Sequence, residues 1–174
     1  MADTKISALS AYTGASVTTS TDVIPIVDTA NTQTKKILVT QLQIALRGIG
    51  MSQVTNSLGS DVNLNNTSNY FDGPSVAQGT SGVWFASGSV TVHDTAGLAD
   101  FQAKLWDGTT VIASGSVRGS AANERKVIAL SGFISSPAAN IRISVKDASS
   151  TSGVMLFNQS GNSADSTVSA IRIG

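Results

Sequence analysis

The stretch FQAKLWDGTTVIASGSV, residues 101–117, decides the fold class of this chain. In residues 101–106, Phe, Ala and Leu alternate with Gln, Lys and Trp, the two-residue period of a strand that buries one face. A second run, residues 109–117, follows the pair Asp107-Gly108. Asp-Gly between two alternating runs is the strongest short-range signal for a β-hairpin. The stretch therefore predicts two antiparallel strands joined by a tight turn.

Similar runs recur through the second half of the chain, separated by Gly, Ser, Asn and Asp. They are GVWFASGSVTVHD (82–94), RKVIALSGFIS (125–135), NIRISVKD (140–147), GVMLFNQS (153–160) and STVSAIRIG (166–174). Strands spaced roughly 8 to 12 residues apart, with turn residues between them, are typical of a sandwich. The sequence thus predicts a mainly β protein whose residues 69–174 form an antiparallel, jelly-roll-like β-sandwich.

The first of these runs carries a more detailed expectation. Its apolar side chains Val83, Phe85, Val90 and Val92 can all be placed on inward faces only if the alternation changes phase near Ser87-Gly88. A β-bulge or a glycine kink is the physical means of such a change. We therefore expect an interruption in this strand.

Composition and charge exclude several classes of function. The 174 residues include 11 Lys and Arg and 11 Asp and Glu, so no excess positive charge would attract a nucleic-acid backbone or an anionic membrane. No apolar run reaches the roughly 18 residues needed to cross a bilayer. The absence of cysteine excludes disulfides and thiolate metal ligands. We expect neither a nucleic-acid partner nor membrane insertion.

Residues 1–47 are predicted to form a separate N-terminal segment. Three short apolar runs, KISAL (5–9), DVIPIVD (22–28) and KKILV (35–39), are separated by polar loops, and Pro25 indicates an edge strand. TQLQIALRG (40–48) predicts a short helix, because Thr40 and Gln43 form a capping-box pattern. A helix of this length requires a partner surface. The Asn-, Ser- and Gly-rich stretch 48–68 is predicted to be a linker.

The candidates for catalysis are few. The single histidine, His93, is followed by Asp94, but adjacent residues of a strand point to opposite faces and cannot easily share a site. The sequence contains no G-x-S-x-G elbow and no D-x-D-x-D-G loop. Asp94, Asp100 and Asp107 are accounted for by turns and a polar loop. We expect no catalytic residue, no metal ligand and no cofactor, and hence no enzyme.

Aromatic side chains are expected in the core or between subunits. A sugar-stacking platform is the alternative, but aromatic residues more commonly dominate cores and interfaces. The candidates for the core or an interface are Trp84, Phe85, Trp106, Phe133 and Phe157. The candidates for a sugar-stacking platform are Tyr70, Phe71, Trp84, Trp106, Phe133 and Phe157.

The ordered motifs KISAL, DVIPIVD and KKILV, followed by the short helix, resemble the N-terminal segment of tailed-bacteriophage virion appendage proteins, which include head fibres, capsid decorations and tail fibres. KLWDGTTVIAS (104–114) and SAIRIG (169–174) are similar to the compact jelly-roll-type domains of phage fibres and decorations. The resemblance implies a trimeric, non-enzymatic structural domain on the virion surface, made in the host cytoplasm.

Residues and resemblance together favour a capsid decoration protein or short head fibre, since no shaft repeat separates the two units. The N-terminal segment would bind the major capsid protein or another virion protein. Its anchoring residues would be Ile6, Leu9, Ile24, Ile26, Val27, Ile37, Leu38, Leu42 and Leu46. A tail-fibre or receptor-binding component that recognises a host glycan or receptor is the alternative. A carbohydrate-binding module or carbohydrate-active enzyme is a third reading.

Overall fold

Two compact units, Met1–Ile49 and Gly50–Gly174, make up the chain. The computed structural model describes residues 23–28, 33–39 and 52–174. In the first unit, strand β1 (Val23–Asp28) pairs antiparallel with β2 (Gln33–Leu38). These strands coincide with the DVIPIVD and KKILV motifs, and Pro25 lies in this two-stranded ladder opposite Lys36. The KISAL motif and the helix predicted for 40–48 lie outside the described residues.

The second unit is an antiparallel β-sandwich, as the sequence predicts. Its strands are β3 (Gln53–Ser57), β4 (Val62–Leu64), β5 (Phe71–Val76), β6 (Val83–Asp94), β7 (Ala99–Trp106), β8 (Val111–Gly119), β9 (Lys126–Ser135), β10 (Ile141–Asp147), β11 (Gly153–Leu156) and β12 (Thr167–Arg172). One sheet has the order β5-β10-β7-β8. The other has the order β3-β12-β6-β11-β4, with β9 also paired to β6. No helix in the described part of the chain is long and apolar enough to cross a membrane.

The core lies between the two sheets and follows the predicted alternation of β7. Phe101, Ala103 and Leu105 are buried, whereas the side chains between them are only partly buried. The other strands contribute buried residues in the same way, among them Trp84, Ala86, Val90, Val92, Ile141, Ile143, Val145 and Met155. Burying one face of each sheet against the other is what stabilises a sandwich of this kind.

The expected interruption in β6 is wrong. Its ladder with β9 runs without a shift from Val83 opposite Ser135 to Val92 opposite Lys126. Buried and less buried residues alternate along β6 except at Gly88, which is only half-buried, and Trp84 faces the core while Val83 and Phe85 lie on the outer face. Gly88 holds an inward position because the backbone of β12 lies too close for a side chain. The sequence pattern predicted a change of phase because the inward position at Gly88 carries no apolar side chain that would continue the alternation.

The predicted hairpin is present, with a loop of four residues, 107–110, between β7 and β8. The Asp107 carboxylate accepts hydrogen bonds from the backbone N–H groups of Thr109 and Thr110 at 2.9 and 2.6 Å. Gly108 has a φ of 94°, in the left-handed region that glycine adopts without strain. The Asp-Gly pair is therefore explained by the turn.

Strands β3 and β4 lie in the stretch 48–68 that the sequence assigns to a linker. β3 pairs with β12, from Ser57 opposite Thr167 to Gln53 opposite Ile171. β4 pairs with β11. Both short strands are thus edge strands of the larger sheet, held by ladder hydrogen bonds and by the buried Leu64. Their polar residues fit an edge position, where one side of the strand faces solvent.

Candidate binding and association surfaces

The residues predicted to anchor the chain lie partly in the described hairpin. Ile24 is 39% exposed, and Ile37 and Leu38 are half-buried. Ile26 and Val27 belong to β1. The other four, Ile6, Leu9, Leu42 and Leu46, lie outside the described residues. The anchoring role of all nine stays a prediction.

The five predicted core or interface aromatics occupy different places. Trp84 is a core residue, 2% exposed, and its indole N–H donates to the carbonyl of Ser81 at 2.9 Å. Phe157 is half-buried just after β11. Phe85 and Phe133 lie on the outer face of the larger sheet, and Trp106 lies on the outer face of the smaller one.

An apolar patch covers one end of the outer face of the larger sheet. It comprises Val83, Phe85, Phe133, Ile171 and Ile173. Phe85 lies opposite Phe133 on one side and Ile171 on the other. The two phenylalanine rings pack with centroids 5.0 Å apart, yet Phe133 remains 66% exposed and Ile173 56% exposed. Contiguous exposed apolar side chains on a sheet face are typical of association surfaces.

The outer face of the smaller sheet carries a cationic platform made of Tyr70, Lys104, Trp106, Arg142 and Lys146. The Lys104 ammonium lies 3.3 Å from the ring centroid of Trp106 and 4.5 Å from that of Tyr70. The Arg142 guanidinium lies 5.2 Å from the Trp106 ring, and the Lys146 ammonium lies 5.2 Å from the Tyr70 ring. These are cation–π distances. Three cations thus share two aromatic rings.

One carboxylate, that of Asp72, faces the cations of this platform. It accepts a hydrogen bond from Arg142 at 3.0 Å and another from the Ser144 hydroxyl at 2.6 Å. The Trp106 indole N–H donates to the same hydroxyl at 2.6 Å, which fixes the ring. Burial lowers the pKa of Lys104; Asp72 raises it and Arg142 lowers it further, and the net shift is downward. The platform retains positive charge that a bound anion would neutralise.

An open cavity of about 240 Å³ adjoins the platform. Its lining includes Tyr70, Gln102, Ser114 and Ser116, so it offers hydroxyl and amide groups beside an aromatic ring. Such a combination of an apolar ring and convergent polar groups is typical of sites for small polar ligands.

Sequence reasoning named Tyr70 and Trp106 among possible sugar-stacking residues but missed the three cations beside them, although the signal is present. Lys104 and Trp106 are two of the outward residues of β7, and Arg142 and Lys146 hold the same outward phase in β10. The register places Arg142 directly opposite Trp106. From the sequence alone, the pairing of β7 with β10 is not known, so the cations cannot be assigned to the same rings.

His93 and Asp94 are separated as the sequence predicts. His93 is half-buried and lies opposite Val154 in the ladder with β11, whereas Asp94 faces inward and is 1% exposed. In the described ranges, no group of three or more His, Asp or Glu side chains comes together as a metal site.

Comparison with known proteins gives distant structural likeness only. No protein-family profile matches the sequence, and no curated protein sequence matches it significantly. Eiger TNF from S. frugiperda aligns with a TM-score of 0.46 at 10% identity, over 72% of this chain and 94% of that one. The C-terminal CBM6 of LamC from Zobellia galactanivorans gives 0.35 at 10% identity, over 70% and 100% of the two chains. The PRD1 vertex protein P5 gives 0.34 at 13% identity, over 72% and 97%. With scores below 0.5, the function must be argued from the residues of this chain.

Proposed function

We propose that this chain is a structural virion protein, a capsid decoration protein or short head fibre. Its N-terminal segment, residues 1–47, binds the major capsid protein or another virion protein, and its β-sandwich projects from the particle surface as a homotrimer. The role is structural and non-enzymatic.

The observation that carries the proposal is the β1–β2 hairpin. Two of the motifs through which the chain resembles phage appendage proteins, DVIPIVD and KKILV, lie in strands that pair from Val23 opposite Leu38 to Asp28 opposite Gln33. The hairpin belongs to a unit distinct from the sandwich. A two-stranded hairpin alone is at best marginally stable in water. Docking on a partner protein, with burial of side chains such as Ile24, supplies the missing contacts.

The apolar patch supports the trimer. Aromatic and aliphatic side chains without charge are typical of the buried centre of homo-oligomer interfaces. The sandwich presents Phe133 and Ile173 in this way beside hydroxyl-bearing side chains of the same face, such as Ser87 and Ser131. A second and a third copy would cover this patch and remove it from water.

Attachment is tested by mixing the labelled full-length chain with tail-less shells of its source particle and intact host cells in one tube. We expect label on the shells. Deletion of residues 1–47 should abolish it, and the truncated chain should still fold because every strand of the sandwich begins at or after Gln53. The full-length variant Ile24→Asp should also weaken attachment, whereas Lys36→Ser, at an exposed polar position of the same hairpin, should not. Decoration of shells by the truncated chain would refute the anchor.

A second candidate function, recognition of a host-surface glycan, is favoured by the cationic platform. The apolar faces of a pyranose pack on aromatic rings, and a carboxylate or sulfate on the sugar would pair with the ammonium and guanidinium groups. Lys104 already covers one face of Trp106, so a neutral sugar would gain less there than an anionic one.

The probes for this candidate are oligogalacturonate, a heparin tetrasaccharide and neutral maltohexaose, measured by calorimetry with full-length chain. We expect the anionic sugars to bind and maltohexaose not to bind. Lys104→Gln should abolish binding, whereas Arg118→Gln, at an exposed arginine of β8 outside the platform, should preserve it. Binding of maltohexaose alone, or of none of the three, would overturn this reading. In the experiment that mixes shells with host cells, label on the cells would favour glycan recognition over capsid decoration.

A further inference from the structure

Three aspartates are buried at the ends of strands, and they differ in how many of their carboxylate oxygens accept hydrogen bonds. Both carboxylate oxygens of Asp107 accept hydrogen bonds. Oδ1 accepts from the Thr109 and Thr110 N–H groups, and Oδ2 accepts from the Ala138 N–H at 2.7 Å. In Asp94 and Asp147, only Oδ1 accepts hydrogen bonds from the described residues. A buried carboxylate oxygen without a partner is costly and calls for an explanation.

In Asp94 and Asp147, the satisfied oxygen caps a loop. Oδ1 of Asp94 accepts from the backbone N–H groups of Ala96 and Gly97 at 2.5 and 2.9 Å. Oδ1 of Asp147 accepts from the N–H groups of Ser149 and Ser150 at 3.0 and 3.1 Å. Asp94 is 1% exposed and Asp147 is 0% exposed. Their Oδ2 atoms are shielded from solvent and make no hydrogen bond within the part of the chain that the structure describes.

The two carboxylates meet between the sheets. Asp94 ends β6 in the larger sheet, and Asp147 ends β10 in the smaller one. Gly153 lies opposite Asp94 in the β6–β11 ladder, and a Cβ at Gly153 would be 3.0 Å from Asp147 Oδ2. Asp147 thus occupies the space beside Asp94 that a side chain at position 153 would fill.

The side chains of Asp147 and Ser150 lie against the Asp94 carboxylate. The ion pairs of the described residues are made by Glu124 and Asp72, so no basic side chain neutralises Asp94 or Asp147 there. Two buried carboxylates in contact repel each other strongly unless a positive charge lies between them.

We propose that a Ca²⁺ ion binds between Asp94 and Asp147, held by their two Oδ2 atoms and the Ser150 hydroxyl. The donor set is oxygen only, which is the preference of hard cations. Ca²⁺ accepts irregular geometries and several carboxylates, whereas Mg²⁺ retains waters in a near-octahedral shell that a buried position does not easily accommodate. The ion fastens the ends of β6 and β10, one from each sheet. This inference is independent of the proposed function.

The first test uses the wild-type full chain, freed of metal with EDTA and dialysed. Thermal unfolding is followed while CaCl₂ is added, and binding is measured by calorimetry. We expect one site per chain and a melting temperature that rises steadily with Ca²⁺ concentration, because the ion binds only the folded state. MgCl₂ at the same concentration should give a smaller rise. An unchanged melting temperature with no heat of binding would overturn the proposal.

Asparagine variants provide the second test. Asp94→Asn and Asp147→Asn should each lose the response to Ca²⁺ and remain folded in EDTA, because the new amide N–H can donate to the remaining carboxylate. Asp107→Asn is the matched control: it alters a buried aspartate whose oxygens are both satisfied, and its response to Ca²⁺ should persist. Retention of the response in Asp94→Asn would place the ion elsewhere and refute the site.

The competing explanation is a single proton shared between Oδ2 of Asp94 and Oδ2 of Asp147, which would account for the lack of other partners at these two oxygens. In that case the wild type in EDTA would be insensitive to Ca²⁺ and would lose stability as the pH rises and the shared proton dissociates, and Asp94→Asn would remove the loss. That result would overturn the Ca²⁺ site.

Discussion

Asp107 shows how a single side chain fixes the loop of the central hairpin. It is 1% exposed, and its carboxylate accepts three backbone N–H hydrogen bonds, two from its own turn and one from Ala138. Burial raises the pKa of this carboxyl, but the hydrogen bonds from Ala138, Thr110 and Thr109 outweigh burial and lower it. Asp107 therefore ties the β7–β8 turn to the segment that precedes β10.

We predict that Asp107→Asn lowers the free energy of unfolding at pH 7 by about 1.5–3 kcal/mol, the usual contribution of hydrogen bonds to a charged group. Because the pKa is lowered by folding, the wild-type contribution is complete above the unfolded value of about 3.9 and is lost as the pH falls through the folded value. The difference between wild type and variant should thus shrink below about pH 4. Urea unfolding at pH 7 and pH 3 measures it.

Asp100→Asn serves as the control for this measurement. Asp100 is only partly buried on β7, and its carboxylate accepts no hydrogen bond within the described residues. This variant should leave the free energy of unfolding at pH 7 close to the wild-type value. An equal loss of stability in both variants would mean that the backbone hydrogen bonds of Asp107 are not the cause.

At the scale of the element, β6 holds the larger sheet together. One edge of the strand pairs with β12 and β11 in succession, and its ladder with β9 spans ten residue pairs. An ideal Cβ at Gly88 would lie within 3.0 Å of the Thr167 carbonyl oxygen, of Ile143 Cδ1 and of Val168 Cα. Two of these atoms are backbone and have little freedom to move.

We predict that Gly88→Ala destabilises the chain by about 1–3 kcal/mol, the typical cost of overpacking in a core. Denaturant unfolding followed by tryptophan fluorescence measures the loss. Gly115→Ala is the matched strand variant: its Cβ would meet Ile128 and Leu130 side chains at 3.4 Å, an ordinary contact, and should cost little or nothing. Equal losses at the two positions would indicate a general intolerance of alanine at glycine positions rather than a close approach of β12.

The same strands show which features of the structure the sequence predicts and which it does not. The alternation of residues 101–106 and the Asp107-Gly108 turn are local signals, and the structure confirms both. The phase of β6 could not be inferred, because Gly88 occupies an inward position for a reason that lies in β12, about eighty residues further along the chain. The cationic platform likewise depends on the β7–β10 register, which no local pattern encodes.

At the scale of the whole molecule, the two sheets present different outer faces. The larger sheet exposes the apolar patch, and the smaller one exposes the cationic platform with its polar cavity. Exposed aromatic and aliphatic groups are best removed from water by contact with a second protein surface, whereas charged and hydroxyl groups remain well solvated. The proposed trimer therefore uses the larger sheet and leaves the smaller one free for ligands.

This division predicts the effect of Phe133→Ser on assembly. The wild type should sediment at three times its chain mass of 17.7 kDa, and the variant should sediment as a monomer, because Phe133 contributes the largest exposed ring of the patch. Its folding should be unchanged, since the side chain is already 66% exposed and contributes little to the core. Leu98→Ser, at a residue 76% exposed in the loop between β6 and β7, is the control and should remain trimeric. Analytical ultracentrifugation and circular dichroism measure the two properties separately. A Phe133→Ser variant that stays trimeric would exclude the apolar patch as the subunit interface.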